Sequence, residues 1–199
     1  MTGIVVISAG LSQPSSTRLL ADRLAAAARG ELGEEATVEV VELRDHAHDI
    51  ADHLLTGFAN QRLRPVLDQV ATADGLVLVT PTFTASYSGL FKSFMDVVDP
   101  EAVRAKPVLL AATGGTERHS LVLEHALRPL LAYLHARTVP TAVYAASGDW
   151  GNDTDLNQRI TRAAGELAAA VRQRPERAAA DPFTDPVPFE QLLHSNENL

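Results

Sequence analysis

The chain contains no cysteine in its 199 residues. This excludes disulfides, thiolate metal sites, cysteine nucleophiles and cysteine-ligated iron–sulfur clusters, and it reads as a reduced, cytoplasmic protein. Long hydrophobic runs are missing too, none approaching the ~20 apolar residues that a membrane-spanning helix needs. Ile4-Val5-Val6-Ile7 is too short for a signal-peptide core, and no basic segment precedes it. Positive charge is scarce: 17 basic residues face 25 acidic ones, for a net charge of −8. A basic face for non-specific nucleic-acid binding is therefore not expected, whereas a local phosphate site remains compatible with that balance. Neither G-x-G-x-x-G nor G-x-x-x-x-G-K-[ST] occurs, which argues against dinucleotide-type and P-loop sites. The hydrolase signature G-x-S-x-G is absent as well. His46, His48 and His53 lie in a polar connection without the spacing of a known metal site, so no metal is expected.

What is present is a packed globule, 46% hydrophobic, in which strand-like and helix-like segments alternate. Runs of consecutive apolar residues predict buried strands over 3–8, 37–43, 75–80, 106–113 and 138–146, the last tempered by Pro140. Helical spacing predicts helices over 17–32, 88–98, about 120–135 and 153–172, with a pair of short helices within 45–73. Five strands alternating with helices imply an α/β fold, a parallel sheet covered on both faces. From Arg174 onward Pro175, Pro182, Pro186 and Pro188 exclude a long helix, so a folded domain over 1–173 and a proline-rich tail over 174–199 are expected. That tail is either extended or packed along a neighbouring subunit.

In open α/β sheets ligands sit outside the carboxyl ends of the strands, where strand order reverses. Three loops of unusual composition lie at those ends. The first, Ser8 to Thr17, carries Ser8, Ser15, Ser16 and Thr17 at a helix start, where exposed N–H groups and hydroxyls can surround a phosphate, with Arg18 as a charge partner. Ordinary helix capping accounts for any one of these hydroxyls. The second runs from Thr80 to Lys92 and includes Pro81, Thr82, Phe83, Thr84, Ser86, Tyr87, Ser88 and Gly89, offering polar backbone and flat apolar surface to a planar ring with polar edges. The third, Thr113-Gly114-Gly115-Thr116, can turn backbone N–H groups toward a ligand edge, or serve as a flexible turn.

These residues, in this order and spacing, resemble the NAD(P)H-dependent FMN reductases of the flavodoxin-like superfamily over roughly residues 3 to 172. The resemblance is closest to the reductase components of two-component monooxygenases of the luciferase-like or alkanesulfonate type. It implies a doubly wound, five-stranded parallel sheet in the order 2-1-3-4-5, and a homodimer or homotetramer. It implies hydride transfer from NADPH or NADH to FMN, with reduced flavin passed to a partner oxygenase and no catalytic side-chain acid or base. By the same resemblance Ser8, Ser15, Ser16 and Thr17 hold the FMN phosphate. Pro81, Thr82, Phe83 and Thr84 line the isoalloxazine with Ser86 nearby, and Thr113, Gly114, Gly115 and Thr116 meet its pyrimidine edge. Tyr87 is placed toward the substrate opening or a neighbouring subunit. Relatives often carry an arginine in the first loop, in a G-S-x-R pattern, where this chain has Leu11-Ser12; that departure points to weaker, exchangeable flavin. His125 takes the place of a tyrosine found in the two-component group, and Lys92 and Asp96 stand at helical i, i+4 spacing. A quinone or azo-compound reductase, and a flavodoxin-like electron carrier without enzyme activity, use the same fold and remain alternatives.

Overall fold

A strand of consecutive apolar residues must be covered on both sides, and alternation along each strand shows how this is met. The computed structural model describes residues 2–151 and 153–174, so the expected tail beyond Arg174 lies outside the described residues. In chain order the elements are β1 (Gly3–Ser8), α1 (Ser16–Leu32), β2 (Thr37–Glu42), α2 (Ala47–Thr56), α3 (Arg64–Thr72), β3 (Gly75–Phe83), β4 (Ser86–Tyr87), α4 (Gly89–Val97), α5 (Pro100–Val103), β5 (Pro107–Gly114), α6 (Arg128–Tyr133), β6 (Arg137–Thr138), β7 (Val143–Ala146) and α7 (Asp153–Arg172). Val5 and Ile7 of β1, Leu76 and Leu78 of β3, and Val108 and Leu110 of β5 face a core closed by Ile50, Val66, Phe91, Phe94 and Leu131 of the middle helices. The intervening Ile4, Val6, Val77, Val79 and Leu109 face a second core, closed by Leu20 and Leu24 of α1 and by Leu156, Ile160 and Leu167 of α7. Helices therefore cover both faces. Among the described residues no helix is long and apolar enough to cross a membrane.

The parallel ladders run β2–β1–β3–β5. The sheet corrects one expectation: it has seven strands, not five in the order 2-1-3-4-5. Two local causes account for the difference. Pro140 has no N–H to give the ladder, so the strand expected over 138–146 breaks into β6 and β7, both paired in parallel with β5. The second addition is β4, which folds back antiparallel on the end of β3 and pairs Thr82 with Tyr87 and Phe83 with Ser86.

The carboxyl ends of β1, β3 and β5 are brought side by side by the ladders, with Ser8 level with Val79 and Pro81 level with Thr113. The crossover after β1 runs outward to β2 and the next returns past β1 to β3, so strand order reverses between β1 and β3, where α/β sheets place their ligand crevice. At the opposite edge the ammonium of Lys106, only 1% exposed, donates to the carbonyls of Val70 and Ala71 at the end of α3. Both carbonyls belong to the helix's last turn, where cations are favoured. Lys106→Met keeps the stem but removes both donated hydrogen bonds. We expect a loss of about 1–3 kcal/mol, read as a lower urea midpoint with unchanged slope.

Candidate functional site

Ser8 ends β1 on the same face as Ile4 and Val6, the face covered by α1. It is 1% exposed, and its hydroxyl has no hydrogen-bond partner. At the other end of this loop Ser15 caps α1, its hydroxyl accepting from the Arg18 N–H at 3.2 Å. The first turn of α1 carries no carboxylate, so the positive end of the helix is left unopposed. The N–H groups of Ser16 and Thr17 have no acceptor earlier in the helix. Thr17 has a different part: its hydroxyl is buried and hydrogen-bonded at 2.8 Å to that of Thr113, 96 residues away. This bond joins the first loop to the third. Arg18, expected as a charge partner for an anion, is instead held by Asp22 at 2.8 Å and Glu42 at 2.7 Å.

The segment after β3 is a hairpin rather than an irregular loop. Its two turn residues, Thr84 and Ala85, both lie in the left-handed region, with φ of 48° and 64°. A two-residue hairpin needs that geometry, normally supplied by asparagine and glycine. Here a β-branched residue and an alanine adopt it, at a cost of about 1–2 kcal/mol each. The base of the hairpin compensates. Thr80, fully buried, accepts from the Ser88 N–H at 3.0 Å and donates to the Pro81 carbonyl at 3.0 Å. Ser88, also fully buried, caps α4 by accepting from the Phe91 N–H at 3.2 Å. Tyr87 packs inward on Phe91, ring centroids 5.6 Å apart and tilted by 54°. Phe83 remains 46% exposed and is the ring this hairpin presents outward.

The third loop is shaped by a residue that sequence reasoning missed. Tyr144 of β7, buried, donates its hydroxyl to the Thr116 carbonyl at 2.9 Å. Burial pushes its phenol up from the ordinary value. A Cβ on Gly114 would collide with that hydroxyl, so this glycine makes room for Tyr144. Gly115 differs: a Cβ there would meet nothing within 4 Å. Thr82, beside Gly114 on β3, turns its buried hydroxyl toward the Tyr144 phenol and works against that rise. The one available signal for Tyr144 was a large ring in a strand of small residues, Val143-Tyr144-Ala145-Ala146, facing a Gly-Gly pair. Beyond it, the turn Ser147–Gly151 is locked to the strand end. Asp149 accepts from the Ala146 N–H at 2.7 Å, and Arg159 bonds both Asp149, at 3.1 Å, and the Tyr144 carbonyl, at 2.6 Å.

The helix expected over 120–135 opens with a π-helical turn, Leu123–Leu127, before α6. Pro129 explains it, because the N–H owed to the His125 carbonyl does not exist and the chain bonds instead from Arg128 to Leu123. His125 sits exposed on this widened turn. Lys92 and Asp96 pair on the surface of α4 at 2.6 Å. His46 lies 3.7 Å from Asp49, whose carboxyl is lowered first by the Asn60 amide and then by Arg62. Among the described residues no group of three metal-binding side chains occurs.

The family model described as NADPH-dependent FMN reductase matches residues 2–151. The chain belongs to this family. It is 40% identical over 178 residues to an FMN reductase (NADPH) of Pseudomonas aeruginosa, covering 88% of this chain and 90% of that one. It is 37% identical over 177 residues to the NADH-dependent FMN reductase SfnE of Pseudomonas putida, covering 88% and 89%. Among solved structures, an oxidoreductase of Corynebacterium diphtheriae superposes with a TM-score of 0.85 at 44% identity, over 88% of this chain and 99% of the other. A WrbA-like flavodoxin of Agrobacterium tumefaciens, at 20% identity and a TM-score of 0.59 over 88% of this chain and all of the other, shows the flavodoxin-like fold alone.

In this FMN reductase family member the two glycines of the third loop are separable by experiment. Gly114→Ala forces Tyr144 to move and is expected to cost about 1–3 kcal/mol in urea unfolding. Gly115→Ala is expected to stay within about 0.5 kcal/mol of wild type. Ala85→Gly relieves the hairpin turn and should raise stability by about 0.5–1 kcal/mol, seen as a higher melting temperature.

Proposed function

We propose that the chain is an NAD(P)H-dependent FMN reductase that takes a hydride from NADPH or NADH and passes the reduced flavin to a flavin-dependent monooxygenase. One observation carries this reading. Three uncharged loops lie at a single sheet edge, the first bonded to the third through Thr17–Thr113 and the third anchored to β7 through Tyr144–Thr116, and between them they offer an unpartnered hydroxyl and an exposed ring. The curated relatives, one named for NADPH and one for NADH, support the reaction class and leave both nicotinamides in play.

The residues fit FMN. Ser8 buries a hydroxyl that lacks a hydrogen bond, which is costly unless a ligand supplies a partner. Gly89 and Gly115 border open space, so backbone can approach a ring closely there. In this reading Ser8, Ser15 and the N–H groups of Ser16 and Thr17 hold the phosphate. Phe83, Pro81, Thr82 and Thr84 line the isoalloxazine, with Ser86 on the hairpin's return strand. The Gly114, Gly115 and Thr116 backbone faces the pyrimidine edge, where amides oppose developing negative charge. Thr113 contributes from below, its hydroxyl committed to Thr17. When bound, FMN accepts the hydride and carries the electrons onward, so the protein's work is orientation and electrostatics rather than side-chain acid–base chemistry. Residues 1–173 act as one flavodoxin-like domain in a cytoplasmic homodimer or homotetramer, with residues 174–199 as an appended tail, and His125 stands toward a subunit contact.

The test is nicotinamide oxidation by the purified protein, followed at 340 nm with and without added FMN. Added FMN should accelerate oxidation of NADPH or NADH. No acceleration by FMN, with a response to quinones alone, would replace this reading by a quinone reductase. Gly115→Ala, which leaves the fold space unchanged, should raise the KM for FMN by about tenfold, because only a ligand occupies the space its methyl enters.

A further inference from the structure

Arg18 is the one arginine in the first turn of α1, one residue past Thr17. Its side chain is turned onto two carboxylates, with Nε 2.8 Å from Asp22 and Nη1 2.7 Å from Glu42. Glu42 is placed by the sheet. It ends β2 level with Ser8, so a carboxylate flanks the buried, unpartnered hydroxyl assigned above to the phosphate. Asp22 lies one helical turn beyond Arg18 and completes the grip. One cation shared by two anions leaves the local balance negative. The guanidinium is held above its ordinary value by the Asp22 hydrogen bond first and by Glu42 after it. An anion arriving at Ser8, Ser15 and the α1 N-terminus meets neutral donors and a flanking carboxylate, with the nearest arginine engaged.

We propose that Asp22 and Glu42 form a clamp that withholds Arg18 from the flavin phosphate and so keeps FMN exchangeable. The inference rests on the phosphate being held at the first loop, as in the reading above. Its chemistry is a competition for one guanidinium. Charge-assisted bonds to phosphate are strong, and bonds of the same kind to Asp22 and Glu42 must be broken before Arg18 makes them. Neutralising Glu42 removes one competitor and one repulsive charge together.

The experiment titrates the full-length protein with FMN and, separately, with riboflavin, which has the same ring and no phosphate, following quenching of flavin fluorescence. Glu42→Gln is expected to lower the Kd for FMN by about five- to tenfold, with the Kd for riboflavin within about twofold of wild type. Asp22→Asn should act in the same direction on the other side of the guanidinium. Adding Arg18→Gln to Glu42→Gln should abolish the gain, showing that it runs through Arg18 rather than through lost repulsion alone. Melting temperatures report whether each variant is folded, and either single variant suffices for the comparison. An unchanged or weaker FMN affinity, an equal gain for riboflavin, or a gain that survives Arg18→Gln overturns the clamp. A wild-type protein that quenches neither flavin overturns the FMN reductase reading itself.

Discussion

Everything at the candidate site depends on β3 being hydrogen-bonded along both edges, to β1 on one side and β5 on the other. These two ladders bring Ser8, Pro81 and Thr113 to one edge although they come from distant parts of the chain. Register is enforced by burial on both faces, since a slip of one residue would send Leu76 and Leu78 to the wrong core and exchange them with Val77 and Val79. The Thr17–Thr113 bond then fixes the start of α1 against the end of β5. The loops can therefore be short and rich in small residues, because the strands beneath them already hold their ends.

The fold was legible where physics acts locally. Consecutive Val, Ile and Leu announce a strand buried on both faces, and the 3–4 spacing of Val66 and Val70 announces a helix against one of them. The three site loops were legible because their composition departs from what a plain turn needs. Interactions between residues far apart in sequence were not. Nothing adjacent to Thr17 says that its hydroxyl is used by Thr113, and nothing in the run around Tyr144 says which backbone it reaches. Arg18 shows the same limit, for its neighbours in sequence include Asp22 but not Glu42, which arrives through the β1–β2 ladder. The hairpin turn escaped because Thr84-Ala85 lacks the glycine or asparagine that marks such turns. Pro140 was a visible warning about the last strand, and the structure turns that warning into a break.

The electrostatic character of the site follows from its setting. A chain with an excess of acidic residues places no unengaged arginine in the first turn of α1, and relies there on a helix terminus and on hydroxyls. Neutral donors of this kind give an anion a defined seat at modest strength. Such a seat suits a molecule that must arrive, accept electrons and leave.

Tyr144 and Gly114 also tie two strands together through evolutionary time. The hydroxyl of one occupies the place where the other's side chain would begin. The glycine is the constrained partner: a lineage that enlarges residue 114 must shrink residue 144 or displace its hydroxyl, and one that gives up the tyrosine frees the glycine. Covariation between these two columns, 30 positions apart, would record in the sequences of descendants a single point of steric exclusion beneath the third loop.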